Sequence, residues 1–236
     1  MFASGGGAHE WISPARQRFR GRVVVSLPAR EDGAPFPGAC QSAAMGSSYA
    51  YPVMQTADAL EAFGMAERLF ELAETLQYAE PTAWATLSTP DDVERIGPVL
   101  PPGAWLDSGK GSEAKWFHPR ELPVDASELA GLLPLSLNLV DAVPFRSFEA
   151  DLAAVVGGVP AGIHWHLGAW PATPTQDWRS GKYSGVQLAF NCRELWGDPA
   201  EGHMLSVCVG QGDLQRAEWL ASQVGLRVLG PPVQSL

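Results

Sequence analysis

Two histidines one residue apart, His164 and His166, stand in the run Gly162-Ile163-His164-Trp165-His166-Leu167-Gly168-Ala169-Trp170, where residue types and spacing could do chemistry. Alternate side chains of an extended strand point to opposite faces, so both imidazoles share one face while Ile163, Trp165 and Leu167 take the other. Two imidazoles on one face can share a divalent metal and leave room for a third ligand and a water. Local spacing supplies no third ligand, and the helical zinc motif H-E-x-x-H is absent. His118, His203, Asp141, Asp177, Glu194 and Cys192 are candidates from elsewhere in the chain. The enzymatic reading is therefore a small metal-dependent hydrolase on His164 and His166, completed by Asp177 or His203. The plainer reading is a strand whose histidines are hydrogen-bonded on a solvated or partner-facing surface.

Other motifs are incomplete. Cys40 lies in a stretch of small residues but has no local base to activate it, and no G-x-S-x-G elbow occurs anywhere. Gly210-Gln211-Gly212 stands between an apolar strand and a helix, where a dinucleotide fingerprint would. Gln215 occupies the position that needs a small residue, so these glycines read as a tight turn with Asp213 capping the helix. Ser108-Gly109-Lys110-Gly111-Ser112 departs from a phosphate loop in the same way, because Gly111 follows the lysine. Neighbouring acids such as Asp91-Asp92 read as solvated charge. With no complete motif, no cofactor is expected.

The elements that must position these residues follow from periodicity. Arg22 to Leu27 reads as a strand, and the Gly-, Pro- and Ser-rich stretch from Ala29 to Pro52 as a long loop. Thr56 is a plausible N-cap for a helix reaching Tyr78, with Leu60, Phe63, Ala66, Leu69, Phe70, Ala73 and Leu76 forming its apolar stripe. Its solvent face carries Asp58, Glu61, Glu67, Glu71 and Glu74 against Arg68 alone, an acidic ridge. Strands are expected at Thr82–Ser88, Leu135–Val140, Gly162–Trp170, Val186–Cys192, Leu205–Val209 and Leu226–Leu229. Helices are expected at Pro90–Ile96, Ser147–Val156 and from Asp213 through Gln223.

The resulting expectation is an α+β fold, with a mixed or antiparallel sheet built from about three strand-helix-strand units and helices packed mainly on one face. Residues 1–22 read as a loosely ordered segment and 23–236 as a single domain. The pattern also allows two pseudo-related halves, 23–88 and 135–236, joined by an irregular insertion at 89–134.

Composition bounds the function. With 46% hydrophobic residues, a chain of 236 can fill a core without cross-links, and three scattered cysteines form no disulfide framework. No long uncharged apolar run and no signal-peptide pattern is present, so a cytoplasmic location is expected. Residues 1–30 hold five Arg and one acidic residue, which leaves 11 basic against 25 acidic residues beyond them, a balance of −14. Such a body repels nucleic acid and anionic membranes and attracts basic partners. Nine tryptophans are a surplus: Trp84, Trp165 and Trp219 sit on patterned elements and read as core. Trp105, Trp116, Trp178 and Trp196 lie beside charges in irregular or strand-end positions and are candidates for a partner-facing or pocket surface, with core packing as the plainer reading. The function expected from these features is a non-enzymatic, acidic protein-binding domain of immunity or antitoxin type, inhibiting a basic partner such as a nuclease toxin. Its contacts would be Glu61, Glu67, Glu71, Glu74 and the four loop tryptophans.

Overall fold

The computed structural model describes residues 48–74, 80–109, 115–123, 125–140, 148–179, 184–210 and 213–234. The expected strand at Arg22–Leu27, Cys40 and the glycine-lysine turn after Gly109 lie outside them. Tyr49, Tyr51 and Val53 alternate to form β1 (Ser48–Thr56) inside what composition reads as loop. Proline is tolerated there because a register shift between Pro52 and Met54 marks a bulge, and the Pro52 carbonyl accepts from the Leu229 amide at 2.8 Å. Helix α1 (Ala59–Phe70) is capped by Asp58, whose side chain accepts from the amides of Leu60 and Glu61, and not by Thr56. Thr56 ends β1 and donates its hydroxyl to Glu61 at 2.6 Å instead.

β2 (Glu80–Leu87) follows, then α2 (Pro90–Ile96), where Thr89 and Asp92 form a reciprocal capping box with Pro90 in the first turn. The expected irregular insertion contains more structure than its composition suggests: β3 (Trp105–Asp107), β4 (Trp116–Phe117) and α3 (Ala126–Leu132). β5 (Leu135–Val140), α4 (Phe148–Val155) and β6 (Ala161–His166) come next. β7 (Gly185–Cys192), β8 (Pro199–Gly210), α5 (Leu214–Gln223) and a short β9 (Val233–Gln234) complete the chain. Asp213 caps α5 through the Arg216 amide, as its position after Gly210 suggests. The final strand lies at Val233–Gln234 and not at Leu226–Leu229.

These elements make a mixed α+β fold around one open sheet, ordered β4-β3-β5-β2-β6-β7-β8-β1-β9, with every strand pair antiparallel. Helix α1 joins β1 to β2, which three other strands separate in the sheet. The main core gathers alternate strand residues, among them Ala83, Leu137, Ile163, Trp165, Leu188 and Val207. Phe63, Ala66 and Leu69 of α1, Leu152 of α4 and Leu220 of α5 join the same cluster. Between those strand positions, Trp84, Ala189 and Cys192 turn the other way and form a second, smaller cluster with Leu195 and Met204. Among the described residues no helix is long and apolar enough to cross a membrane.

Candidate binding surfaces

The strand that carries the histidines is shorter than expected, ending at His166. Both imidazoles do share a face, with ring centroids 3.9 Å apart and planes inclined by 43°. His164 stands in register between Thr82 and Gln187, and Gln187 faces Ser206, so a row of polar side chains crosses β2, β6, β7 and β8. A Cβ on Gly185 would lie 2.7 Å from His164 Nε2, so only glycine lets the ring lie over β7. His164 is buried and, among the described residues, its Nδ1 has no hydrogen-bond partner. Burial, then the neighbouring His166, pushes its pKa down to about 3, so the ring is neutral across the physiological range.

His203 and Asp177, expected to complete a metal set, lie elsewhere, and Asp141 is outside the described residues. His203 stands in register with Phe190 on β7, an odd number of residues from Gln187, and therefore projects from the opposite face. Its ring packs edge-on against Phe190, and its Nδ1 accepts from the Asn191 amide at 3.3 Å. Burial holds its pKa below the usual histidine value. Asp177 is exposed in the loop before β7. Among the described residues no group of three His, Cys, Asp or Glu side chains converges to hold a metal ion.

Two surfaces are built instead from the residues expected to meet a partner. The first is α1, where Asp58, Glu61, Glu67, Arg68 and Glu71 are all exposed. Leu60, expected in the apolar stripe, lies in the first turn of the helix and is 55% exposed among them. Beyond the helix end, Glu74 pairs with Arg179 at 2.6 Å, which fixes the loop bearing Trp178 beside the ridge.

Trp178 is held from below by Arg216, a fully buried arginine. Its Nε pairs with Asp213 at 2.8 Å, its Nη1 donates to the Pro171 carbonyl, and its Nη2 donates to the Trp178 carbonyl at 3.0 Å. Gln176 donates to the same Asp213 carboxylate at 2.9 Å. The guanidinium carbon lies 4.6 Å from the Trp178 ring centroid, so the indole stacks on a fixed cation while 53% of the residue remains exposed.

The second surface lies on the sheet face opposite Ala83 and Leu106. Leu106 and Phe117 turn to the main core, so Trp105 and Trp116, their strand neighbours, project the other way and are 46% and 57% exposed. Trp105 is in register with Asn138, and Asn138 with Trp84. Trp84 is buried beneath Trp196, with centroids 6.2 Å apart, and Trp196 is itself 49% exposed. Trp196 holds φ at +57°, a left-handed conformation that costs a bulky residue about 1–3 kcal/mol and persists only where the surrounding packing over-determines the backbone.

Room for Trp84 comes from Gly162: a Cβ there would lie 2.5 Å from Trp84 Nε1 and 2.6 Å from Leu195 Cδ2. Gly162→Ala is therefore expected to destabilise the fold by about 1–3 kcal/mol through overpacking. It should also alter tryptophan emission by shifting the Trp84–Trp196 pair. Urea unfolding followed by fluorescence checks both, and unchanged midpoint and spectrum would contradict the packing described.

Two further buried groups titrate abnormally. Glu149, in the first turn of α4, is only 2% exposed, and among the described residues neither carboxylate oxygen makes a well-formed hydrogen bond. Burial raises its pKa to about 7, an effect only partly offset by its own backbone amide and the Trp165 indole. Burial also raises the Cys192 thiol to about 11, so this cysteine is an inert thiol on the second cluster. A groove of about 460 Å³ that sequence reading did not find runs between α2 and the turn at Pro119–Glu121. Its histidine is already committed, since His118 Nε2 lies 2.9 Å from the Pro102 carbonyl and Nδ1 accepts from the Arg120 amide.

An α+β domain with an acidic helix, a stapled aromatic loop and an aromatic sheet face is the class that fold and surfaces define. The chain matches no protein-family model, and no curated protein or solved structure is significantly similar to it.

Proposed function

We propose that this protein is a non-catalytic binding domain that takes a basic protein partner on its acidic surface. The reading is that of an immunity or antitoxin-type inhibitor, in which carboxylates occupy a site that a nuclease toxin uses for phosphates. The observation that carries it is the exposed face of α1. Asp58, Glu61, Glu67 and Glu71 stand there against Arg68 alone, with Leu60 exposed among them and Trp178 held beside Glu74. Carboxylates on this ridge steer a cationic partner and set register, while Leu60 and Trp178 offer the apolar anchors that dominate interface energies. We also read the helices as packed mainly on the Ala83 side of the sheet, in three strand-helix-strand units. On this reading the ridge and the tryptophan-bearing sheet face look in opposite directions. The net charge of −10 argues against nucleic acid and anionic membranes as partners.

Affinity capture from the native host, with mass-spectrometric identification, tests this directly. The expected catch is a protein of basic surface, held less tightly as salt rises from about 50 to about 300 mM. Reversing Glu67 and Glu71 to lysine together is expected to weaken capture at least about tenfold. Retention of only acidic proteins, or of none, or binding indifferent to the double reversal, would overturn the reading.

A further inference from the structure

We infer that the groove between α2 and the turn at Pro119–Glu121 is a binding site for a di- or tripeptide with free amino and carboxyl ends and apolar side chains. Its volume of about 460 Å³ lies within the range of small-ligand sites. The floor is apolar: Val93 is buried, and Leu100 and Leu122 are half-buried with the main core behind them. An apolar side chain entering the groove therefore meets a surface that is already in place.

The walls are set in advance as well. Pro98, Pro101 and Pro102 stand on one side and Pro119 and Pro123 on the other, each with its φ fixed by the ring. His118 braces the two sides, because its Nε2 meets the Pro102 carbonyl at 2.9 Å while its Nδ1 accepts from the Arg120 amide at 3.2 Å. Proline carries a carbonyl acceptor and no amide donor, so a ligand suited to these walls brings donors of its own. A peptide brings them in its ammonium and its N–H groups.

Charge selects the occupant. Glu94 lines the groove on the α2 side and Arg120 lines it from the opposite turn, and both are exposed. Among the described residues neither side chain has an ion-pair or hydrogen-bond partner, and the two do not pair with each other. Arg95 and Arg216, by contrast, each hold a carboxylate of their own helix or its cap. Two unlike charges kept apart across an apolar floor match a zwitterion whose ammonium meets Glu94 and whose carboxylate meets Arg120. An anion or a cation alone would satisfy one of them and meet the other as a like charge. Both contacts are open to water, so they orient the ligand more than they tighten it, and the Kd is on the order of 0.1 mM.

Isothermal titration calorimetry of the full chain with leucyl-leucine, against N-acetyl-leucyl-leucine and leucyl-leucine amide, tests the inference. The free dipeptide is expected to bind, and blocking either end should weaken binding at least about fivefold. Glu94→Gln should weaken leucyl-leucine and remove the penalty for acetylation while keeping the penalty for amidation, and Arg120→Gln should do the converse. Both side chains are exposed and unpartnered among the described residues, so the variants keep the fold. No binding of leucyl-leucine up to about 5 mM overturns the inference. Blocked peptides that bind as well as the free one overturn it too, as do variants that keep both penalties. The groove lies apart from the α1 ridge and does not rest on the basic-partner reading, so either can fail while the other stands.

Discussion

Replacing Arg216 with methionine is expected to lower the unfolding free energy by about 3–5 kcal/mol, the largest effect of any single substitution considered. The side chain is fully buried, and each of its three guanidinium nitrogens donates: Nε to Asp213, Nη1 and Nη2 to the carbonyls of Pro171 and Trp178. Methionine fills much of the volume but leaves the Asp213 carboxylate, 8% exposed, without its counter-charge. It also strands two carbonyls that the arginine satisfied. Lysine is no remedy, because a single ammonium cannot reproduce a planar fork aimed at three acceptors. Hydrogen exchange should show a loss of protection concentrated in the loop at 171–179 and the first turn of α5, and denaturant titration gives the free energy. A loss below about 1 kcal/mol would mean that the buried pair and its carbonyls are hydrated in solution. The cluster also ties stability to the acidic surface, since Trp178 stacks on this guanidinium beside Glu74.

Opposite slopes in the dependence of stability on pH are expected from Glu149 and His164. The Glu149 carboxyl rises from an ordinary 4.5 to about 7 in the folded state, so the native protein keeps a proton that the unfolded chain has lost. Its contribution is full below about pH 4.5 and declines as pH rises towards 7, reaching a cost of roughly 3 kcal/mol above it. His164 falls from 6.5 to about 3, so the unfolded chain binds the proton first on acidification. Its contribution is present above pH 6.5 and is lost as pH drops towards 3. Between about pH 4.5 and 6.5 the two slopes oppose each other. Glu149→Gln should therefore gain on the wild type progressively from pH 4 to pH 8, by roughly 3 kcal/mol in all, and His164→Gln should gain as pH falls from 6.5. Chemical denaturation across this range reads both differences. Variant and wild-type curves that run parallel would show that these groups are solvated in the folded state.

The parts of the fold set by local chemistry were legible in the sequence. Thr89, Pro90 and Asp92 announce α2 to the residue, and Asp213 after Gly210 announces the cap of α5. β1 was not, because Pro52 and the small residues before it read as loop until β8 is present to pair with Tyr49 and Tyr51. β3 and β4 are too short, at three and two residues, for alternation to register. Charges and irregular segments around Trp105, Trp116, Trp178 and Trp196 only hinted at their exposure, since core packing was the plainer reading for rings of that size and the structure leaves all four about half exposed. Trp219, expected in the core, is only half-buried against it. What sequence could not supply was the face each side chain takes across the sheet. His203 and His164 are set on opposite faces by pairings with β7, and Trp84 meets Trp196 only through the turn between β7 and β8. Long-range register decides such matters, and no window of neighbouring residues contains it.

The sheet order carries a consequence for how the chain reaches this state. β1 sits between β8 and β9, and Ser48 meets Gly210, 162 residues further along. As the chain emerges from the ribosome, β1 and the apolar stripe of α1 have no β7 or β8 to close against until residues 185–210 have been made. Loop closure over such a separation comes late and slowly, so the edge of β1 stays unpaired, and the helix stripe only partly covered by β1 and α4, while the intervening residues are made. The exposed carboxylates of α1 lie on the same helix as that stripe, and charge beside an apolar run opposes aggregation while the run is uncovered.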